Sequence, residues 1–315
     1  NLSVAFLLGG ASAGGIAAPL NCSDYAVSGS VMPREYAHAC AAPTSAAQVV
    51  FNDRTRLPTD LGYAIDIFGN ETRPRDRIYT FPLNNFSNQA FFNSTQPFIY
   101  GADFTPNGQD FYGVTSESAG QFPRSLGLIL SGGFILKGAL VGVQAGDNIN
   151  GFAIHPRSGV AYLSTSGGSP PLSRLYTVNL SNGASTLVGQ ITAPTDETTG
   201  TVMISIAINC EGRIYAHNIS DDSLYLLNRD TGAATYVGSH GLDANFAQGM
   251  DFDNSTGELY VFMMLNTGEN RFGLFDLITG GFTTLANNNP PGEYEGAIPT
   301  MCPEAISLFA DGFED

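Results

Sequence analysis

The sequence predicts an all-β chain made of repeated four-stranded units, and three observations carry that prediction. First, Gly249–Leu285 reads as two hairpins, with strands at Met250–Phe252, Leu259–Phe262, Phe272–Leu277 and Phe282–Leu285. Apolar residues fill the strands, and Asn, Asp, Ser, Thr and Gly fill the turns, where φ > 0 or a side chain bonding its own backbone is needed. Second, the first hairpin recurs at Gly101–Gly113, Gly151–Leu163 and Ser205–Ala216, with a degenerate copy at Gly296–Phe309. Successive starts lie 50, 54, 44 and 47 residues apart. Third, the second hairpin recurs at Leu175–Gly189 and Leu224–Gly238, and more loosely at Leu126–Leu140 and from Ile78 to about Ile99. Four strands every 40–50 residues or so make one blade of a β-propeller.

The order of the halves predicts the closure. The chain enters on a second hairpin and leaves on a first hairpin, with four complete units between. Pairing 78–99 with 296–309 completes a fifth blade and removes the open edges of the ring. Five blades are expected; six fit if Val49–Phe51 and Tyr63–Phe68 add strands. The expected organisation is an arm and cysteine-containing connector over 1–44, then a propeller over 45–315.

The alternation of D-F-x-x-x-x-G-x-L-Y with L-Y-x-x-N-x-x-T-G-A-x-T-x-V-G resembles the repeats of secreted bacterial propellers in a domain family of unknown function. The resemblance spans roughly Tyr79 to Cys302. It implies the fold and no activity, because function resides in sites and not in folds. The final ISLFADGFED is similar to a short F-x-D-G-F-E tail on exported gammaproteobacterial proteins. That similarity implies a location outside a Gram-negative cell.

Composition narrows the function classes. Over 315 residues, 37 glycines and 17 prolines suit a turn-rich β protein. A net charge of −16 argues against nucleic acid and anionic membrane surfaces, which need clustered Lys and Arg. Only 13% of residues are charged, so partners or sugars are expected to cover part of the surface. Cys22, Cys40, Cys210 and Cys302 form no C-x-x-C pair, so a zinc ribbon is not expected. In an exported chain they read as two disulfides, with Cys22–Cys40 and Cys210–Cys302 the favoured pairing among three possible connectivities.

Taken in order, Asn1–Leu20 is apolar and glycine-rich. It resembles an export leader in composition but lacks a positively charged start. Leu2, Val4, Phe6 and Leu8 alternate with Ser3, Ala5 and Leu7, which puts large and small side chains on opposite faces of a strand. That strand packs either on its own propeller or on a neighbouring copy by β-addition. Residues 45–77 hold Arg54, Arg56, Arg73, Arg75 and Arg77, read as a solvated rim and not as a phosphate site. Long inserts are expected at Ser116–Arg124, Gly146–Asn150, Ser164–Arg174 and Thr192–Thr201.

Candidate chemistry is sparse. His38, His155, His217 and His240 occupy non-equivalent positions and read as ordinary loop histidines. Asp251, Asp253, Asn254, Ser255 and Glu258 offer oxygens of the kind calcium prefers, but turn chemistry explains them better. Asp103 aligns with Asp251, whereas the other copies present Ala153, Ala207 and Ile298, so no ring of carboxylates is expected. No nucleophile has a local base, and no cofactor or metal is called for. Sequons stand at Asn1, Asn21, Asn70, Asn85, Asn93, Asn179, Asn218 and Asn254, candidates for covalent glycans.

The function read from these features is non-enzymatic. The chain is expected to be an extracellular structural subunit that polymerises when Leu2–Leu8 docks on the next copy, with no nucleic acid and no membrane span. A secreted glycan- or protein-binding propeller is the alternative. A hydrolase or lyase with residues converging from several blades is the third reading.

Overall fold

The computed structural model describes residues 60–67, 77–94, 97–117, 119, 121–131, 133–193, 200–245, 248–287 and 292–304. By its contacts the chain divides into Asn1–Arg54, which lies outside these residues, and Thr55–Asp315. The second unit is a propeller of five four-stranded antiparallel sheets. The first blade comprises β4 (Ile99–Phe104), β5 (Phe111–Thr115), β6 (Ser125–Leu130) and β7 (Gly133–Ala139). The second comprises β8 (Asn148–Ile154), β9 (Ala161–Gly167), β10 (Leu172–Val178) and β11 (Ser185–Gln190). The third comprises β12 (Met203–Ile208), β13 (Ile214–Asn218), β14 (Ser223–Leu227) and β15 (Ala234–Ser239). The fourth comprises β16 (Met250–Asp253), β17 (Glu258–Met264), β18 (Asn270–Phe275) and β19 (Phe282–Asn287). The two expected hairpins per blade are the first and second strand pairs of each sheet.

The fifth blade corrects the expected closure. Its order is β20 (Tyr294–Ala297), β1 (Gly62–Asp66), β2 (Arg77–Phe81), β3 (Ala90–Ser94). Among the described residues the C-terminal side supplies one strand and the N-terminal side three, not two and two. As expected, 78–94 and the start of 296–309 lie in the same closing blade, but among the described residues they do not pair directly; β1 lies between, joined to β20 on one side and β2 on the other. Tyr63–Asp66, from the stretch that offered strands for a sixth blade, thus belongs to the second strand of the fifth. Two expected inserts also shrink. Asn148–Asn150 belongs to β8, and most of Ser164–Arg174 extends β9 and β10.

Five apolar clusters hold the ring, one between each pair of neighbouring blades. Tyr63, Ile65 and Ile78 of the fifth blade meet Phe104, Phe111 and Ile129 of the first. Val114 and Leu126 of the first meet Phe152, Leu163 and Tyr176 of the second. The second meets the third through Tyr162 and Leu175 against Ile206 and Ile208. The third meets the fourth through Tyr215 and Leu224 against Phe252 and Val261. Phe262 and Phe272 of the fourth pack on Phe81, Phe86 and Tyr294 of the fifth. Each large side chain buried here contributes ~1.5–3 kcal/mol. A blade buries its two faces only against its neighbours, so closing the ring completes the core.

Two close approaches explain recurrent glycines. A Cβ at Gly101, Gly151 or Gly249 would collide with the backbone of the next innermost strand. A Cβ at Gly138, Gly189 or Gly238, on an outermost strand, would collide with the last hairpin turn of the next blade, at Asn182, Thr231 and Thr279 respectively. The V-G and T-G elements of the repeat are therefore two halves of one contact between successive blades.

Candidate functional site

The innermost strands β4, β8, β12, β16 and β20 surround the propeller axis. Their alignment is fixed by bonds between them. Ile154 N donates to Asp103 Oδ2 at 2.6 Å, and Ile298 N donates to Asp251 Oδ2 at 2.6 Å. Each aspartate also accepts from the next amide in its own strand, Phe104 N at 2.6 Å and Phe252 N at 2.8 Å. The two carboxylates thus clasp the first blade to the second and the fourth to the fifth. Burial pushes the Asp103 carboxyl up to about 7 against the pull of the Ile154 and Phe104 amides. Asp251 is held well above the usual carboxylate range, first by burial and then by the charge of Asp103.

This register corrects the sequence alignment of the last copy by one residue. Ile298 is the partner of Asp251 in the way that Ile154 is the partner of Asp103, so Ala297, not Ile298, is the counterpart of Asp103. Glu295, not Gly296, then falls at the position of Gly101, Gly151, Ser205 and Gly249. Glu295 is 3% exposed, and burial holds its carboxyl well above the ordinary range. Its backbone pairs with Ile65, but no hydrogen bond or ion pair to its carboxyl is found among the described residues. Sequence reasoning missed it because the degenerate copy was aligned on the wrong residue. Two residues upstream, burial and then the charge of Asp66 push the Glu293 carboxyl up to about 7.

One end of the axis carries a strap. After β20 the chain runs past the first-hairpin turns of the fourth, third and second blades. Asn254 N donates to Thr300 Oγ1 at 2.6 Å. Cys302 is joined to Cys210 with a Cα–Cα distance of 5.6 Å. Arg157 Nη2 donates to Pro303 O, and its Nε donates to Cys210 O, both at 3.0 Å. At the opposite ends of the first two blades, Asp147 is almost fully buried and holds both Arg174 Nη1, at 2.8 and 2.9 Å, and Thr165 Oγ1, at 2.8 Å. Arg124 there reaches Glu117 at 2.8 Å. These groups neutralise one another and serve the fold.

His217 and His240 come together, although 23 residues separate them. Their Nε2 atoms lie 3.0 Å apart, and Phe275 of the fourth blade packs on both rings. His240 Nδ1 accepts from Leu242 N, so its Nε2 carries the proton and donates to His217 Nε2. His217 is then protonated at Nδ1, which is buried and has no hydrogen-bond partner among the described residues. Burial lowers the pKa of His240 to about 4. Burial and then His240 place that of His217 well below its ordinary value. The pair is uncharged at neutral pH.

The remaining candidates are placed as follows. His155 accepts from Arg157 N at 3.1 Å through Nδ1, and burial and Arg229 lower its pKa. Asp253 Oδ1 accepts from Ser255 N and Oγ, and Glu258 Oε2 accepts from Tyr260 OH, so the expected turn chemistry occupies these oxygens. Among the described residues no group of three or more His, Cys, Asp and Glu side chains could hold a metal ion, and no helix is long and apolar enough to cross a membrane. Asn85 and Asn179 are exposed, and Asn254 is half-buried. Asn93 and Asn218 are buried, their amides donating to Leu130 O and Asp221 Oδ1, so neither presents a free amide to a sugar. Leu2, Val4, Phe6, Leu8, Cys22, Cys40, His38, Asn1, Asn21 and Asn70 lie outside the described residues.

No protein-family model matches the chain, and no curated protein sequence matches it. The resemblance to secreted propeller repeats therefore stands on the quoted motifs. Among solved structures, the chain is similar to one in a nidogen/laminin complex, at 11% identity and TM-score 0.46, covering 77% of this chain and 99% of that one. It is similar to a Bacteroides thetaiotaomicron protein of unknown function, at 12% identity and TM-score 0.46, covering 77% and 66%. A Streptomyces coelicolor aldose sugar dehydrogenase aligns at 13% identity and TM-score 0.42, covering 62% and 69%. Likenesses this distant carry no activity, ligand or partner over to this chain.

Proposed function

We propose that the chain is an exported structural subunit that assembles head to tail when Leu2–Leu8 of one copy adds as a strand to the propeller of the next. The observation that carries this reading is the rim of the ring. Each blade ends in an outermost strand with which no further strand pairs among the described residues, the template that strand addition needs. At the same position of four such strands stand Phe91, Leu136, Leu187 and Tyr236, between 43% and 59% exposed. Two buried carboxylates at the axis, Asp103 and Asp251, are meanwhile spent on clasping blades. Head-to-tail contacts that do not close build filaments. The Cys210–Cys302 bond supports export to an oxidising compartment. Sugars on Asn85 and Asn179 fit the same setting.

Sedimentation velocity of the full chain and of a chain lacking residues 1–20 tests the proposal. The full chain should sediment as concentration-dependent polymers and the truncated one as a folded monomer. Polymers of equal size from both chains would refute the role given to the arm.

A further inference from the structure

Resting on that reading, we infer that the acceptor edge is β7 of the first blade, and that its occupant is Leu2–Leu8 of a second copy. Among the five outermost strands, β7 exposes two adjacent large apolar residues, Ile135 at 41% and Leu136 at 43%. Adjacent residues point to opposite faces of a strand, so this edge is apolar on both sides. At the corresponding adjacent positions the other strands pair one large residue with Thr186, Thr235 or Ala90, or carry two threonines, Thr283 and Thr284.

The two faces differ, and the arm differs in the same way. Phe134 lies on the Leu136 face, and the Phe122 ring stacks over it with centroids 6.1 Å apart. Phe122 is itself 37% exposed. That face matches the large side chains Leu2, Val4, Phe6 and Leu8. The Ile135 face carries Gly133 and Lys137 beside it, which suits the smaller set Ser3, Ala5 and Leu7. The edge is also bounded. Its ladder with β6 slips between Leu126 and Gly127, and beyond that bulge Gly138 is covered by the turn at Asn182 of the second blade. Among the described residues this leaves the five residues 133–137 unpaired on their outer side, enough to pair with the central part of Leu2–Leu8. Fifty-nine residues precede the first described residue, Asp60. Fully extended, at ~3.3 Å per residue, a segment of that length reaches at most ~190 Å.

Lys137 makes the test direct, because it is the chain's single lysine and lies exposed on this edge. An amine-reactive diazirine probe placed on Lys137 at low occupancy, in a mixture of isotopically light and heavy full-length chains, marks what lies beside the edge. The expected result is light–heavy cross-links from Lys137 to residues 2–8. Cross-links confined to one copy would overturn the inference. So would cross-links to other segments in a sample that polymerises, which would leave the assembly reading intact. A second measurement uses I135D/L136D against L187D. The first should raise the concentration needed for assembly at least about tenfold, and the second should leave it unchanged. These side chains are exposed, so the melting temperature should stay at the wild-type value in both. Equal effects of the two variants would overturn the choice of edge. A wild-type chain that never associates would overturn the assembly reading itself.

Discussion

At Asp103 and Asp251 the ring stores two carboxyl groups that prefer to keep their protons. Each accepts two amides, which favours ionisation, yet burial outweighs those bonds at both, and at Asp251 the charge of Asp103 adds to it. Their folded-state pKa values are raised, so their stabilising contribution is full below the ordinary carboxylate pKa and is lost as pH rises, for Asp103 through about 7. Replacing Asp103 by Ala removes the charge that helps hold Asp251 up, and the carboxyl resonance of Asp251 should then titrate lower than in the native chain. Ala153 and Ala207 occupy the equivalent place in two blades, so the fold accommodates alanine there. An unmoved Asp251 titration would show that the two groups do not share a field. The histidine pair works in the opposite sense. Its lowered pKa values give stability that is present above the ordinary value of 6.5 and is lost as pH falls toward about 4. For His240 alone this amounts to about 3 kcal/mol. Denaturant titrations at pH 7 and pH 4.5 should show that a His217→Phe/His240→Leu chain loses less stability on acidification than the native chain. Equal losses would place the acid sensitivity elsewhere.

At the scale of the elements, the contact between V-G and T-G is the recurrent unit of construction. Asn228 Oδ1 accepts from Asp230 N and Thr231 N, which shapes the turn that Gly189 receives. Asp276 does the same for Ile278 and Thr279, the turn that Gly238 receives. A Gly238→Val change drives a side chain into the Thr279 carbonyl and should cost about 1–3 kcal/mol. Ala286→Val, at the equivalent site facing a blade without that turn, should stay within about 1 kcal/mol. Equal costs would mean that the glycine serves strand conformation and not blade contact. This level was the most legible in the sequence, because alternation and turn residues report local backbone and recur. The strands within Gly249–Leu285 fall within a few residues of their expected bounds. Two features were illegible for physical reasons. A long insert separates β1 from β2, so no repeat spacing marked β1 as part of the closing blade. The last copy lacks its glycine, so its register was set by the bonds of Asp251 and not by the motif. The buried histidines and the buried sequons Asn93 and Asn218 depend on packing between distant segments, which no local pattern encodes.

At the scale of the molecule, the ring is closed by β20 and then fastened by the strap. The Cys210–Cys302 bond closes a loop with a sequence separation of 92 residues and should contribute about 4 kcal/mol through the unfolded chain. A Cys302→Ser chain should melt at lower temperature while keeping a native circular dichroism spectrum. An unchanged melting temperature would mean that β20 alone secures the ring. The rim faces outward with five sheet edges, and the β-bulge found in the outer ladder of every blade shortens each edge that a partner can use. The proposed role in assembly rests on these outer edges, with which no further strand pairs among the described residues. Negative-stain electron microscopy of the full chain beside a Val4→Asp/Phe6→Asp chain tests that claim most directly. The account predicts filaments from the first, and from the second single rings whose melting temperature is unchanged. Single rings from both chains at every concentration, or a Val4→Asp/Phe6→Asp chain that is itself unfolded, would contradict it.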